Sequence, residues 1–148
     1  MAVAGSDKLY FEDVEIGPAF ETPGMTLTAA HVALFGGVAG DTPADAQAIP
    51  DLLPLCLSSG LGWRVPQPPL VVLAFMGFEW RFVRPARVGD TIHSVSRTLT
   101  KRPMKEGGVI IEERNVLNQR GEVVQSGRLT LLVARRPGAV AQPAGNPA

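Results

Sequence analysis

The sequence predicts a single α+β domain in which a long central helix is wrapped by a curved antiparallel sheet, and three observations carry that expectation. The chain has 148 residues, the size of one folding unit with one core. Its second half reads as four successive strand-like runs separated by turn residues. A helical segment ahead of them is apolar on nearly every side, so it needs a covering layer rather than a solvent face.

The elements follow in order. An extended, Pro- and Gly-punctuated lead reaches Leu27. Thr28 is placed to cap a short helix over residues 29–38, with Val32, Phe35 and Val38 near helical spacing and Gly36, Gly37 and Gly40 weakening and ending it. Asp51 reads as the N-cap of the central helix, with Pro54 in its first turn and Leu52, Leu55, Cys56 and Ser59 at i, i+3, i+4 and i+7. Cys56 there reads as a small buried hydrophobe. Residues 70–82, 91–100, 109–118 and 122–134 are rich in β-branched and aromatic residues. A turn at 85–90, a longer loop at 101–108 and a tight hairpin at 118–121 separate them. In the last run Val123, Leu129, Leu131 and Val133 share a face opposite Ser126, Arg128 and Thr130. A short strand, two helices and a four-stranded meander make the hot-dog architecture, with residues 1–9 a flexible N-terminus, 10–136 the domain and 137–148 a disordered, uncharged tail. Its open sheet edges favour pairing with a second copy.

Composition removes several function classes. Fourteen basic and fourteen acidic residues cancel, leaving no field to hold a nucleic acid. One cysteine, Cys56, excludes an internal disulfide and a thiolate metal cage, and fits a reducing cytoplasm. Neither a metal nor a redox cofactor motif is present, and GGVAG at 36–40 lacks the lysine of a phosphate loop. No secretory signal is expected from the start of the sequence, and the longest uncharged stretch, 65–78, holds three prolines and is too short and broken to span a bilayer.

Four ordered segments and a hairpin then carry a resemblance: YFEDVEIG at 10–17, TLTAAHVALFGGVAGD at 26–41, LCLSSGL at 55–61, WRFVRPARVGDT at 80–91, and NQRG at 118–121. Over residues 10–134 the chain resembles the MaoC-like acyl dehydratase and (R)-specific enoyl-CoA hydratase family of hot-dog proteins. The resemblance implies an acyl-CoA or acyl-carrier-protein thioester as substrate, water added or removed across a 2,3 double bond, a dimer and no cofactor. In that family an Asp and a His in a loop reading approximately Gly-Asp-x-Asn-Pro-Ile/Leu-His handle the water and the proton. A backbone amide at the start of the central helix holds the thioester oxygen. Here Gly40 and Asp41 are retained, but Thr42-Pro43-Ala44-Asp45-Ala46-Gln47 follows, and the usual histidine is missing. The resemblance makes Asp41 the proton-transfer residue and puts Asp45 in the histidine's place, either as a partner carboxylate or as a solvated loop residue. The amide of Asp51 becomes the oxyanion donor. Arg81, Arg84 and Arg87 form a basic cluster for a CoA phosphate or a carrier-protein acid, or decorate a strand end. His31 and His93 read as structural. Three activities fit: a hydratase, a non-catalytic acyl-binding subunit of a heteromeric dehydratase, and an isomerase or cyclase of a natural-product intermediate on the same fold.

Overall fold

Alternation of apolar and polar residues places the four long strands, and the computed structural model, which describes residues 7–139, puts them at Val72–Phe82 (β3), Thr91–Met104 (β4), Gly107–Leu117 (β5) and Val123–Val133 (β6). Two short strands, Ala19–Glu21 (β1) and Met25–Thr26 (β2), precede them and both pair with β4. The sheet runs β1-β4-β5-β6-β3, every pair antiparallel, so β3 is an edge. Helix α1 spans Ala29–Ala39 and helix α2 Leu52–Leu61, prolonged by a 3-10 turn at Gly62–Arg64. The hot-dog class expected from the sequence is the observed one.

α2 packs on β4 and β5 with Leu53, Pro54, Ser58 and Leu61 buried. Two apolar clusters form beneath it: Leu27, Ile49, Leu53, Ala86, Ile92, Val116 and Val124, and a separate group of Phe11, Ile110, Leu131 and Val133. The wrapping of α2 is incomplete. Leu52 and Cys56 lie exposed on its other side, so Cys56 is not the buried hydrophobe expected from the helix's composition. α1 buries none of its residues, and Val38 is 91% exposed. A single sheet face covers one side of α2, which is apolar all round, while α1 only rests Val32 and Phe35 against the core cluster.

Three boundaries also differ from expectation. The loop at 101–108 is mostly strand, because β4 continues to Met104 and pairs with Gly107 across a turn at Lys105 and Glu106. Val123 does not share the buried face of Leu129. A bulge where Val116 pairs Gln125 but Leu117 pairs Val123 inserts a residue, burying Val124 and Gln125 together. Leu9, assigned to a flexible N-terminus, bridges Leu70, its amide on the Pro69 carbonyl at 2.9 Å. Residues 1–6 of that segment and 140–148 of the tail lie outside the described residues.

The lead is clamped to the sheet. Phe11 donates its amide to the Ala134 carbonyl at 2.8 Å, while the Lys101 ammonium donates to the Phe11 and Val14 carbonyls, both at 2.8 Å. The β3–β6 pair is equally close. Gly127 lies opposite Trp80, and a Cβ there would overlap the Glu79 carbonyl oxygen and the Trp80 ring. Gly127→Ala is therefore expected to cost about 1–3 kcal/mol through overpacking, read as a lower urea midpoint at unchanged m. An unaltered midpoint would mean that the two strands separate freely at this point.

Candidate functional site

Residues 41–51 link the two helices and hold three of the residues singled out from the sequence. The loop begins at Gly40, which ends α1 in the left-handed conformation at φ +72°, its amide on the Gly36 carbonyl at 2.9 Å. It folds back on α1 closely enough that a Cβ on Gly36 would lie 3.1 Å from the Thr42 hydroxyl. Its far half is pinned to the turn before β4: Ala48 bridges Arg87, and the Val88 amide donates to the Gln47 carbonyl at 2.9 Å. Asp41 stands exposed between these anchors, and its carboxylate has no hydrogen bond or ion pair among the described residues.

Asp45 is engaged. Its carboxylate accepts the Gln47 amide at 2.9 Å and pairs with Arg87 at 3.3 Å. The Gln47 amide foremost, with Arg87 adding to it, holds the group below its ordinary value of 3.8 against the cost of desolvation. Asp45 is thus kept ionised, and no bond joins it to Asp41. Asp90, which bonds the Arg87 amide at 2.9 Å, is also lowered. Its burial opposes ionisation, but the Gln119 side chain, the Arg87 amide and the charges of Arg120 and Arg87 outweigh it. Glu122 is lowered by Asn118 first and then by Arg120, with Arg84 adding to it.

Folded values below the unfolded ones mean that these carboxylates lend stability above their ordinary values, 3.8 for Asp45 and Asp90 and 4.5 for Glu122, and withdraw it as the pH falls through the lower folded values. The urea midpoint should hold from neutrality to about pH 5 and fall below that. Glu122→Gln should make the acid limb shallower; an identical limb would assign the loss to other carboxylates.

Asp51 opens α2 with helical dihedrals, and its side chain makes no capping bond, contrary to the expectation that it serves as a side-chain N-cap. Pro50 already supplies its carbonyl to Leu53 at 3.0 Å, and the Asp51 carbonyl is held by Gln125 Nε2 at 2.7 Å. Gln125 in turn accepts Trp80 Nε1 at 2.9 Å, so a buried amide fixes the start of the helix. The Asp51 amide has no hydrogen-bond partner among the described residues, and Asp51 lines a cleft of about 210 Å³ with Pro50, Pro54, Arg84 and Gln125. A free amide and the positive end of a helix dipole are what a developing oxyanion requires.

The arginines divide. Arg84 pairs with Glu122 at 3.0 Å and Arg87 with Asp45, whereas Arg81, exposed on β3, has no ion pair among the described residues. His31 completes a capping box: the Thr28 amide donates to its Nδ1 at 3.1 Å, and the His31 amide reaches the Thr28 hydroxyl at 3.4 Å. Nothing in the sequence reading pointed to a second cavity, of about 510 Å³, between the lead, the end of α2 and the β5 and β6 face. Its signal was present in β5, where Glu112 and Arg114 fall on the same alternate positions as Ile110 and Val116. No cluster of three metal-ligating side chains occurs among the described residues, and none of their helices is long and apolar enough to cross a membrane.

No family model matches the chain, and no curated protein matches it in sequence. Solved structures do. A monoamine oxidase regulatory protein from Archaeoglobus is 25% identical over 88% of this chain and 97% of its own, with a TM-score of 0.79. A MaoC-like dehydratase from Rhodospirillum rubrum is 25% identical over 87% of this chain and 99% of its own, with a TM-score of 0.73. A double hot-dog protein of Mycobacterium tuberculosis matches at 19% identity and a TM-score of 0.75, over 93% of this chain but only 47% of its own. (R)-hydratases are among the further matches in fold.

Proposed function

From the premise that the chain is a MaoC-like hot-dog protein, we propose that it hydrates 2-enoyl thioesters, and dehydrates the corresponding 3-hydroxyacyl thioesters, with Asp41 as its proton carrier. The observation that carries this reading is the Asp51 amide at the mouth of the cleft where α2 begins, with the exposed Asp41 carboxylate on the loop leading to it, both without a partner among the described residues. The thioester oxygen accepts from the Asp51 amide, which draws electron density from C3. Asp41 removes a proton from water as the water oxygen bonds to C3, and the C2=C3 electrons pass to the thioester oxygen as an enolate. The Asp41 carboxyl then returns that proton to C2, restoring the carbonyl. One carboxylate thus serves both half-reactions, and dehydration runs the same steps backward.

Asp45 is the anchor in this proposal. An acid must be protonated at working pH, and the Gln47 amide and Arg87 favour the opposite state. Arg81 and Arg84, flanking the cleft and the β3 edge, are proposed to meet the phosphates of CoA or the acidic surface of a carrier protein. The dimer is proposed to form through β3. That eleven-residue edge exposes the apolar side chains Leu73, Phe75, Met76, Phe78 and Phe82, which a second copy would cover. A double hot-dog protein in which this chain matches about half the length supports two such units side by side.

The test is hydration of short and medium trans-2-enoyl-CoA thioesters, followed by loss of the enoyl absorbance. Turnover by the protein alone is expected. A folded dimer that turns over neither overturns the hydratase reading in favour of a subunit needing a histidine-bearing partner.

A further inference from the structure

The wall of the larger cavity is mostly hydrocarbon: Leu70, Val72, Phe75, Ile110, Leu129 and Leu131 line it. Charges interrupt this wall, Asp13 and Glu15 from the N-terminal lead and a pair from β5. Glu112 and Arg114 also line the cavity, and both residues are more than nine-tenths buried, at 6% and 9% exposure. Arg114 Nε donates to Glu112 Oε1 at 2.9 Å and reaches the Ser96 hydroxyl at 3.3 Å, and Nη2 donates to the same Oε1 at 2.6 Å. Both Arg114 bonds to Glu112 converge on one carboxylate oxygen. Arg114 Nη1 and Glu112 Oε2 have no hydrogen-bond partner among the described residues, and neither is sealed from the cavity, since Ser94 Oγ is the sole fully enclosed side-chain polar atom left unpaired.

Stability does not account for the pair. Buried ion pairs are often matched or bettered by apolar residues of similar volume, and the flanking positions on the same face, Ile110 and Val116, are apolar. A buried donor and a buried acceptor left open in the wall of one cavity make a recognition element. The pair is neutral as a unit, so an anionic group drawn to Arg114 is repelled by Glu112. A neutral hydroxyl suits either group, its oxygen accepting from Nη1 or its proton being donated to Oε2. Thr98, which also lines the cavity, and Ser96 extend the polar ground around it.

Resting on the thioester reading above, we infer that this cavity receives the far part of the acyl chain and selects chains bearing a neutral hydroxyl there, rather than plain alkyl chains. The cavity meets α2 at Ser59 and, past the helix, at Gly62 and Trp63. Eight residues from Asp51 to Ser59 at 1.5 Å each put it about 12 Å from the oxyanion amide. The selected oxygen is therefore remote from C2 and C3 and is not the hydroxyl that the reaction makes or removes.

Saturated thioesters cannot be hydrated, so their binding tests the inference apart from catalysis. Octanoyl-, decanoyl- and dodecanoyl-CoA, their ω-hydroxy analogues and the matching ω-carboxyl thioesters are titrated calorimetrically against the intact protein. At one chain length or more the ω-hydroxy thioester should bind about tenfold tighter than its alkyl counterpart, the gain from a hydrogen bond to a charged group. Glu112→Leu combined with Arg114→Met, which leaves no lone buried charge, should erase or reverse that preference. Alkyl chains binding as well as hydroxylated ones at every length would overturn the inference and leave the thioester reading standing. A preference for the ω-carboxyl series would likewise overturn it, by assigning the site to an acid. No binding by any thioester would sink both readings together.

Discussion

Asp41→Asn is expected to lower enoyl thioester hydration at least about 100-fold while leaving the fold intact, because the amide has the carboxylate's shape but cannot carry a proton between water and C2. The separation of activity from stability follows from the position of Asp41. Its side chain is exposed and makes no hydrogen bond or ion pair among the described residues, so the unfolding free energy from urea titration should change by no more than about 0.5 kcal/mol. Asp45→Asn tests the other half of the argument. It weakens the Arg87 pair that pins the loop, so it should act on placement of the loop, raising KM more than it lowers kcat. Rates unchanged in Asp41→Asn would remove the proton carrier from the proposal; a loss confined to Asp45→Asn would transfer the chemistry to Asp45.

Phe78→Lys is expected to convert the proposed dimer to monomers. Phe78 is 51% exposed near the middle of β3, in ring contact with Phe75 at 5.9 Å between centroids, on an edge whose only strand partner among the described residues is β6. An edge lysine brings a charge that a second copy would have to bury, the device by which natural edges avoid pairing. Light scattering should then read the mass of one chain, against an expected two for the unaltered protein. Activity should fall with it if pairing shapes the cleft, since β3 ends beside Phe82 and Arg84, which line it. A variant that remains dimeric would place the interface elsewhere, with the bare sides of α1 and α2 next in order.

The four strands were legible because alternation has a period of two and each run is broken by residues that turn the chain. The β4–β5 connection was not, since Lys101, Arg102, Lys105 and Glu106 look like loop while Pro103 hides a strand that needs no donor at its end. Val123 and Val124 are indistinguishable in sequence, and the bulge alone chooses which is buried. The site was legible in part. Asp41, Asp51 and the arginines were located from the resemblance, yet the bonds that divide them into free and engaged groups come from residues distant in sequence, such as Gln125 on Asp51 and Arg87 on Asp45. Glu112 and Arg114 passed as ordinary strand charges, because nothing local distinguishes a solvent face from a cavity wall.

By itself the sequence determined the local geometry: the strand runs, the capped start of α1, the left-handed exit at Gly40 and the hairpin at Asn118, where Gly121 takes φ +74°. These depend on sterics and on hydrogen bonds within a few residues. The tertiary structure alone decided that Cys56 stays exposed, that Arg87 neutralises Asp45, and that a charged pair faces a cavity roofed by the N-terminal lead. Burial and electrostatics depend on which distant segments meet, and that meeting is set by packing over the whole chain rather than by any stretch of it.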